Sequence, residues 1–376
     1  MVRVVRYITC YPEYQKFEKI LKFLMRILSF SFLPGKTLKK YGKNMTTIFL
    51  LYGFTCTVFT ILYYPQDLLI LLLRIIPVVG FLQLLAKSLS IQADSEELET
   101  LFQYFQEAHQ VHEIDLITDV ARIYLKRSLG IIRIIFQIVF PVILTGGVGM
   151  LLYFIYYNEI FIAVPGVFPS QNSNKMYQHI HQCVVLALSN IVLQIEDSVI
   201  ISIGFYFIAI LNIFFSIIKH IDYLDLRNRR QYLILLHEMH CNVLDKFSIF
   251  ERIFYYTFTI QIGTSVVFVM FIFFLLQNRG GFAFFPLLLA ILLQFGSLCL
   301  LGQLMYSQTE RFSTELYLTE WYELSVREQK MMLTMMYMSH RPFGLKAAAM
   351  YDINFRMFFD VMKAGLSFCT LLYTFT

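Results

Sequence analysis

Seven stretches of apolar side chains divide this chain, separated by segments in which charged and apolar positions alternate at helical spacing. They run over residues 45–64, 67–92, 130–157, 181–218, 252–277, 282–306 and 350–375. Each has the roughly 20 residues that a helix needs to cross about 30 Å of hydrocarbon. Tyr64-Pro65-Gln66 alone separates the first from the second. The third carries Pro141 and the run Gly146-Gly147-Val148-Gly149. The fourth is longer than a bilayer requires, so it should tilt or project beyond it. The seventh is broken only by Asp352, Arg356, Asp360 and Lys363. Its last turns stack Ser367, Leu371 and Phe375 at i, i+4 and i+8 on one face. A small hydroxyl beside two apolar groups suits a gated pore, since apolar constrictions gate by dewetting. It equally suits ordinary helix packing.

The intervening segments are also patterned as helices. Phe17, Ile20, Leu21, Leu24 and Ile27 recur at three and four residues between lysines. This predicts an interfacial amphipathic helix, ended by the Pro34-Gly35 turn. Ser95-Glu96-Glu97-Leu98-Glu99 opens another helix with a serine cap position and an acidic first turn. With the inner ends of the spans, these segments predict a helical bundle beneath the membrane. The opposite side has one substantial loop, 158–180, with Pro165, Pro169, Gln171, Asn172, Ser173 and Asn174, placed to lid an outward-facing cavity.

Composition agrees with this class. The 376 residues are 57% hydrophobic and only 15% charged, with mean hydropathy +0.61. Soluble domains carry about 25% charged residues. The expectation is one all-α polytopic membrane domain: a cytoplasmic segment 1–44, spans one to six over 45–306, cytoplasmic anchor helices 307–349 and the seventh span. The net charge of +5 is not a nucleic-acid footprint, because the basic residues cluster by loop. The N-terminal segment holds ten Lys/Arg through Lys43, and the segments after spans two, four and six hold most of the rest. Across the membrane stand Lys175, Arg279 and little else. The positive-inside rule therefore places the N-terminus in the cytoplasm and, after seven spans, the C-terminus outside. That is opposite to a G-protein-coupled receptor. The N-terminal residues lack a secretory signal pattern, so the first span should direct insertion. Only Cys183 of the six cysteines falls near the outer face, too few for an extracellular disulfide framework.

No catalytic constellation emerges, and the expectation is a protein that is not an enzyme and needs no metal or other cofactor. His237-Glu238-Met239-His240 spaces its histidines at i, i+3, where the zinc-protease pattern needs i, i+4; structural roles at a helix end are expected. The intramembrane polar residues carry more, since such groups face a cavity or a partner. Arg74 lies in span two, Glu196 and Asp197 in span four, and Gln261 in span five. An Arg74 pair with a fourth-span carboxylate is one arrangement; groups that merely hold helices together are the other. Small and aromatic residues meet in the outer halves of the spans. Gly146, Gly147, Met150, Leu151 and Phe154 come from span three, and Ile200, Ile201 and Gly204 from span four. Val267, Phe268 and Phe271 come from span five, and Phe282, Phe284 and Phe285 from span six. Glycine leaves room while Met and Phe supply adaptable walls. The pattern suits a small apolar, aromatic volatile held by shape.

In its C-terminal third the chain resembles the insect odorant receptors. Leu316-Tyr317-Leu318-Thr319-Glu320-Trp321-Tyr322, which holds the only tryptophan, is similar to that family's Tyr-x-x-x-Trp-Tyr stretch. Leu333 to Pro342 resembles its short helix ending in Arg-Pro. His240-Cys241-Asn242-Val243-Leu244 with Gln261 and Ser265 resembles its fourth-to-fifth span pattern. Met362-Lys363-Ala364-Gly365-Leu366-Ser367-Phe368-Cys369-Thr370-Leu371-Leu372 is similar to its terminal Leu-Lys-x-x-Tyr-Ser-x-x-x-Leu-Leu, with Leu366 in place of the tyrosine. The resemblance implies an inverted seven-span fold and a tetrameric cation channel. It implies a heterotetramer of an odorant-tuned subunit with a shared odorant co-receptor (Orco) in the plasma membrane of sensory dendrites. It places Leu371 and Phe375 at an apolar gate of a pore-lining seventh span, and Tyr317, Trp321 and Tyr322 at or near the subunit interface. The odorant pocket falls among the outer halves of spans two to six. The short segment between spans four and five, extended in the co-receptor, implies a tuning subunit. The Thr-Tyr and Gln-Phe signature of the related gustatory receptors is absent. The phenylalanine-rich character suggests a dipteran source.

Overall fold

A segment inside hydrocarbon must satisfy its own backbone, and a helix does so within one segment. The apolar stretches accordingly all become helices. The structure, a computed structural model, describes residues 6–28, 42, 44–64, 67–112, 114–168, 175–221, 226–277 and 284–375; the side chains of 68–69, 226–229, 277 and 372–375 lie outside the described set. The described elements are α1 (Tyr11–Leu28), α2 (Met45–Tyr63), α3 (Leu68–Ala93), α4 (Ser95–Glu107), α5 (Asp115–Tyr156), α6 (Met176–Lys219), α7 (Leu226–Gln277), α8 (Phe285–Tyr317), a 3₁₀ turn (Trp321–Glu323), α9 (Val326–Ser339) and α10 (Phe355–Phe375). Between α9 and α10 two short strands, β1 (Lys346–Ala347) and β2 (Tyr351–Asp352), pair antiparallel.

Helices α2, α3, α5, α6, α7, α8 and α10 are the seven membrane helices. The first six are long and apolar enough to span by length and composition. Helix α10 has 21 residues, about 31 Å at about 1.5 Å per residue. Helix α6 is the axis of the bundle. Of its most apolar window 83% is buried, against 28% for α5. It packs on α5, α8, α7, α3 and α1. Its sequence is apolar all round, as a helix with neighbours on every side must be.

Three helices run well past a bilayer. Helices α5, α6 and α7 have 42, 44 and 52 residues, or about 60–80 Å. The halves away from the 158–168 loop join α1, α4 and α9 in a further helical bundle. The segment between spans four and five is therefore largely not a loop, because α7 carries it without interruption into span five. The expectation that His237 and His240 close a helix is corrected for the same reason: both lie inside α7. His240 Nε2 meets Ser339 Oγ of α9 at 3.1 Å, and its ring stacks on Phe214.

The amphipathic helix α1 is also reassigned. Its apolar face does not simply float at the interface. Tyr14, Leu21 and Leu28 are buried, and Phe17, Leu24 and Ile27 pack against the core. The Tyr14 ring stacks on His109 at 4.3 Å, and its hydroxyl donates to the Phe102 carbonyl at 3.2 Å. Only Ile20 and Phe23 of its large apolar side chains stay exposed. The seventh helix starts five residues later than the hydropathy implies. Lys346 pairs with Asp352 across the hairpin, and Ala348 and Ala349 take φ of 51° and 55° in its turn.

Candidate ligand cavity and pore-facing helix

In the outer half of the bundle α3, α5, α6, α7 and α8 line a cavity of about 140 Å³. Its apolar wall includes Ile76, Phe81 and Leu84 of α3, Met150 of α5, Leu186 and Leu193 of α6, Phe268 of α7 and Ile291 of α8. An apolar cavity of about 150 Å³ accommodates a benzene ring, so the volume fits a one-ring guest. Burying about 200 Å² of such a guest is worth roughly 5 kcal/mol gross. Gly147 helps to make the space. A Cβ there would lie 2.5 Å from Asn190 Nδ2, so only glycine lets α5 and α6 approach with the amide between them.

The polar groups on the wall are Gln83, Ser189, Asn190 and Gln294. Ser189 Oγ donates to the Val185 carbonyl at 2.7 Å, and Asn190 Nδ2 to the Leu186 carbonyl at 3.0 Å, each one turn back along α6. Gln294 Nε2 donates to Asp197 Oδ2 at 2.9 Å. The other oxygen of Asp197 accepts from Lys87 Nζ in an ion pair whose members are 0% and 6% exposed. Glu196, also fully buried, has no hydrogen-bond partner among the described residues for either carboxyl oxygen. The wall of the cavity is thus tied to a buried charge cluster through one amide.

This corrects the expected pairing of Arg74. Its Nη2 meets Glu159 Oε2 in the outer loop at 3.8 Å, and its Nη1 donates to the Tyr64 carbonyl at 3.2 Å. The fourth-span carboxylate belongs to Lys87. Depth explains the choice. Arg74 lies about 9 Å along α3 from its outer end and Lys87 about 28 Å. Asp197 lies about 32 Å along α6, level with Lys87.

The outer loop packs into the bundle where it is described. Phe161, Ile162 and Ala163 are fully buried. The Phe161 amide donates to Gln182 Oε1, the Ala163 amide to Thr60 Oγ1 and the Val164 amide to Gln178 Oε1. Pro169, Gln171, Asn172, Ser173 and Asn174 lie outside the described residues.

The structure brings Met150 and Phe268 together on the cavity wall. The other candidates have different surroundings. Phe154 is buried with its ring 3.8 Å from that of Phe161, under the outer loop. Ile200 and Ile201 are buried deeper along α6. Gly204 faces Leu301 of α8, where a Cβ would come within 2.4 Å of a methyl carbon. Leu151, Val267 and Phe271 are half-buried; none of the three is among the residues that line the cavity. Phe282 lies outside the described residues. The wall residues not singled out from sequence include Gln83, Asn190 and Gln294. Their signal was present, as single amides within apolar runs.

Helix α10 has two unlike faces. Val361, Gly365 and Cys369, at i, i+4 and i+8, are buried, where α10 packs on α7 and α8. The opposite face carries Arg356, Asp360, Lys363, Ser367 and Leu371, spaced four, three, four and four residues apart and all exposed. Charged side chains at membrane depth face water or a partner rather than lipid. The side chain of Phe375 lies outside the described set. At the inner end, Tyr317 and Tyr322 are each 64% exposed. Trp321 lies between them, its ring 6.5 Å and 6.4 Å from theirs.

A seven-helix membrane protein with an apolar cavity in its outer half and a polar-faced seventh helix is a membrane receptor in form. A sequence profile of the 7tm odorant receptor family matches residues 67–365, and the chain belongs to that family. A comparison with curated proteins finds no match. Among solved structures, the insect olfactory receptor OR5 from Machilis hrabei in complex with eugenol is similar. Its TM-score is 0.78 at 15% identity, over 98% of this chain and 100% of that one. The structure of OR5 described without eugenol gives 0.77 at 16% identity with the same coverage.

Proposed function

We propose that this chain is the odorant-binding subunit of a heteromeric ligand-gated, non-selective cation channel, assembled as a heterotetramer with the odorant co-receptor (Orco). Its place is the plasma membrane of sensory dendrites, surrounded by lipid. Its ligand is a small apolar volatile, and a one-ring aromatic fits the volume. The observation that carries the reading is the apolar cavity of about 140 Å³ lined by five helices in the outer half of the bundle. OR5, whose fold this chain shares, has been solved with eugenol, itself a one-ring aromatic. Met150 and Phe268 contact the ligand in this reading. Leu151, Phe154, Ile200, Ile201, Gly204, Val267 and Phe271 support the wall or the helices behind it.

The exposed stripe of α10 supports its role as pore lining, with Ser367, Leu371 and Phe375 toward the outer end and Leu371 and Phe375 as an apolar gate. Tyr317, Trp321 and Tyr322 support a subunit interface in the cytoplasmic layer. Their neighbours Leu318 and Val326 are also exposed, and apolar surface in the aqueous layer calls for a partner. Ligand binding opens the pore only to the extent that the open state binds the ligand more tightly.

The test is voltage clamp on cells expressing the chain alone and with the co-receptor, against aromatic and aliphatic volatiles. Odour-evoked current only from the pair is expected. Current from the chain alone would replace the tuning-subunit reading with a self-sufficient channel. Silence from both, with the chain at the surface, would refute the channel reading.

A further inference from the structure

One polar group on the cavity wall is left unused by the fold. Gln83 of α3 is 3% exposed. Its Oε1 lies 3.3 Å from the Thr264 hydroxyl of α7, which also reaches the Gln261 carbonyl at 3.0 Å. Its Nε2 is buried with no hydrogen-bond partner among the described residues. The other polar side chains of the wall each have a donor engaged: Ser189 and Asn190 with α6 carbonyls, Gln294 with Asp197. Buried polar groups are nearly always paired, and an unpaired one is costly. Gln83 borders the cavity, and a turn of its side chain would bring the buried Nε2 to an acceptor on a guest.

We propose that Gln83 determines the specificity of the cavity, its Nε2 donating a hydrogen bond to an acceptor oxygen of the ligand. The ligand class is then a one-ring or short-chain volatile bearing a carbonyl or ether oxygen, rather than a plain hydrocarbon. The proposal rests on the reading of the cavity as the odorant site and narrows it. A guest without an acceptor fills the same volume yet leaves the Gln83 N–H unpaired. A site with a buried polar group discriminates more strongly on that group than on a methylene. Because the wall is otherwise apolar, this one bond is a large share of what separates two guests of equal shape. A preference of about tenfold is expected, near the upper range for one neutral hydrogen bond.

The experiment uses the receptor co-expressed with its co-receptor under voltage clamp. Each ketone is paired with the hydrocarbon that replaces its oxygen by a methylidene group: acetophenone with α-methylstyrene, and methyl alkyl ketones with their alkene isosteres. The ketone should have the lower half-maximal concentration by about tenfold. Gln83→Met, which keeps the length and removes the amide, should bring the ratio to about one while the hydrocarbon response persists. Gln83→Asn keeps the amide but withdraws it by a methylene. It should lose most of the preference, and it reads the same ratio if the methionine variant fails to reach the surface. Equal potencies in the native receptor, or a ratio that neither variant changes, would overturn the proposal and leave Gln83 to its contact with Thr264. A preference for phenol over toluene without one for ketones would also overturn it, since the side chain would then present its oxygen. Silence to every pair from a receptor at the surface would instead overturn the odorant reading of the cavity.

Discussion

Removing the buried ammonium at Lys87 should destabilise this receptor more than any conservative surface change. Lys87 is 0% exposed and pairs with Asp197, which is 6% exposed and also accepts from Gln294. Lys87→Met leaves Asp197 with one neutral donor, the amide of Gln294. Breaking a buried pair from one side costs about 3–5 kcal/mol, which is roughly two to three and a half orders of magnitude in a folding equilibrium. Taking both charges away should cost much less, because the burial penalty leaves with them. The assay is a double-mutant cycle of Lys87→Met, Asp197→Asn and the double variant. It is read as surface delivery in cells and as thermal survival of purified, fluorescently tagged receptor in detergent. Each single variant should be nearly absent from the surface, and the double should recover most of the signal. Single losses below about 1 kcal/mol, of the size expected for exposed pairs, would refute the reasoning. So would a double variant no better than the sum of the singles.

Three further outcomes are expected. Gly204→Leu should force α6 from α8, since even a Cβ would lie 2.4 Å from Leu301 Cδ2; overpacking of this kind costs about 1–3 kcal/mol, and Leu301→Ala on the same chain should restore surface delivery. Phe375→Ala should raise resting current through the assembled channel if the apolar gate is real; an unchanged resting conductance counts against it. His109, buried between Tyr14 and Tyr206, gives an expected pH dependence in the cytoplasmic layer. Burial holds its imidazole at about 4 rather than 6.5, and its Nδ1–H donates to the Phe105 carbonyl at 2.7 Å. Below about pH 6.5 the unfolded chain takes a proton that the folded one refuses. Stability is therefore full above that pH and falls as the pH drops toward 4, by about 2 kcal/mol at about pH 5. Melting the purified receptor across this range should show the loss, and His109→Gln should reduce it, leaving the part that comes from other buried histidines such as His240.

How far the chain could be read before folding differs from one feature to the next. The seven spans and the orientation come from local quantities: a run of apolar side chains must form a helix in lipid, and lysines and arginines mark the side that is not translocated. The family was legible in the Trp321 stretch and the terminal Lys363 to Leu372 pattern. The faces of α10 were legible too, since 3.6-residue spacing puts Ser367 and Leu371 on one side whatever packs on the other. Partners across helices were not legible. Arg74 and Lys87 lie in the same span and carry the same charge. Which one meets Asp197 depends on how far each lies from the end of its helix and on how α3 sits beside α6. The cavity was legible only as a neighbourhood. Glycine, Met and Phe occur throughout the outer halves of the spans, and tertiary packing selects Met150 and Phe268 while giving Phe154 to the outer loop and Gly204 to Leu301. The unused amide of Gln83 is a tertiary fact in the strictest sense: a glutamine in an apolar run signals only a polar need, and the packing of α7 against α3 brings its oxygen to Thr264 and leaves its nitrogen without a partner among the described residues. Sequence determined how many helices there are, which way they run and which face of each is polar, because those follow from neighbours along one chain. The structure alone decided which buried groups find one another, because that depends on the relative depth and rotation of helices distant in sequence.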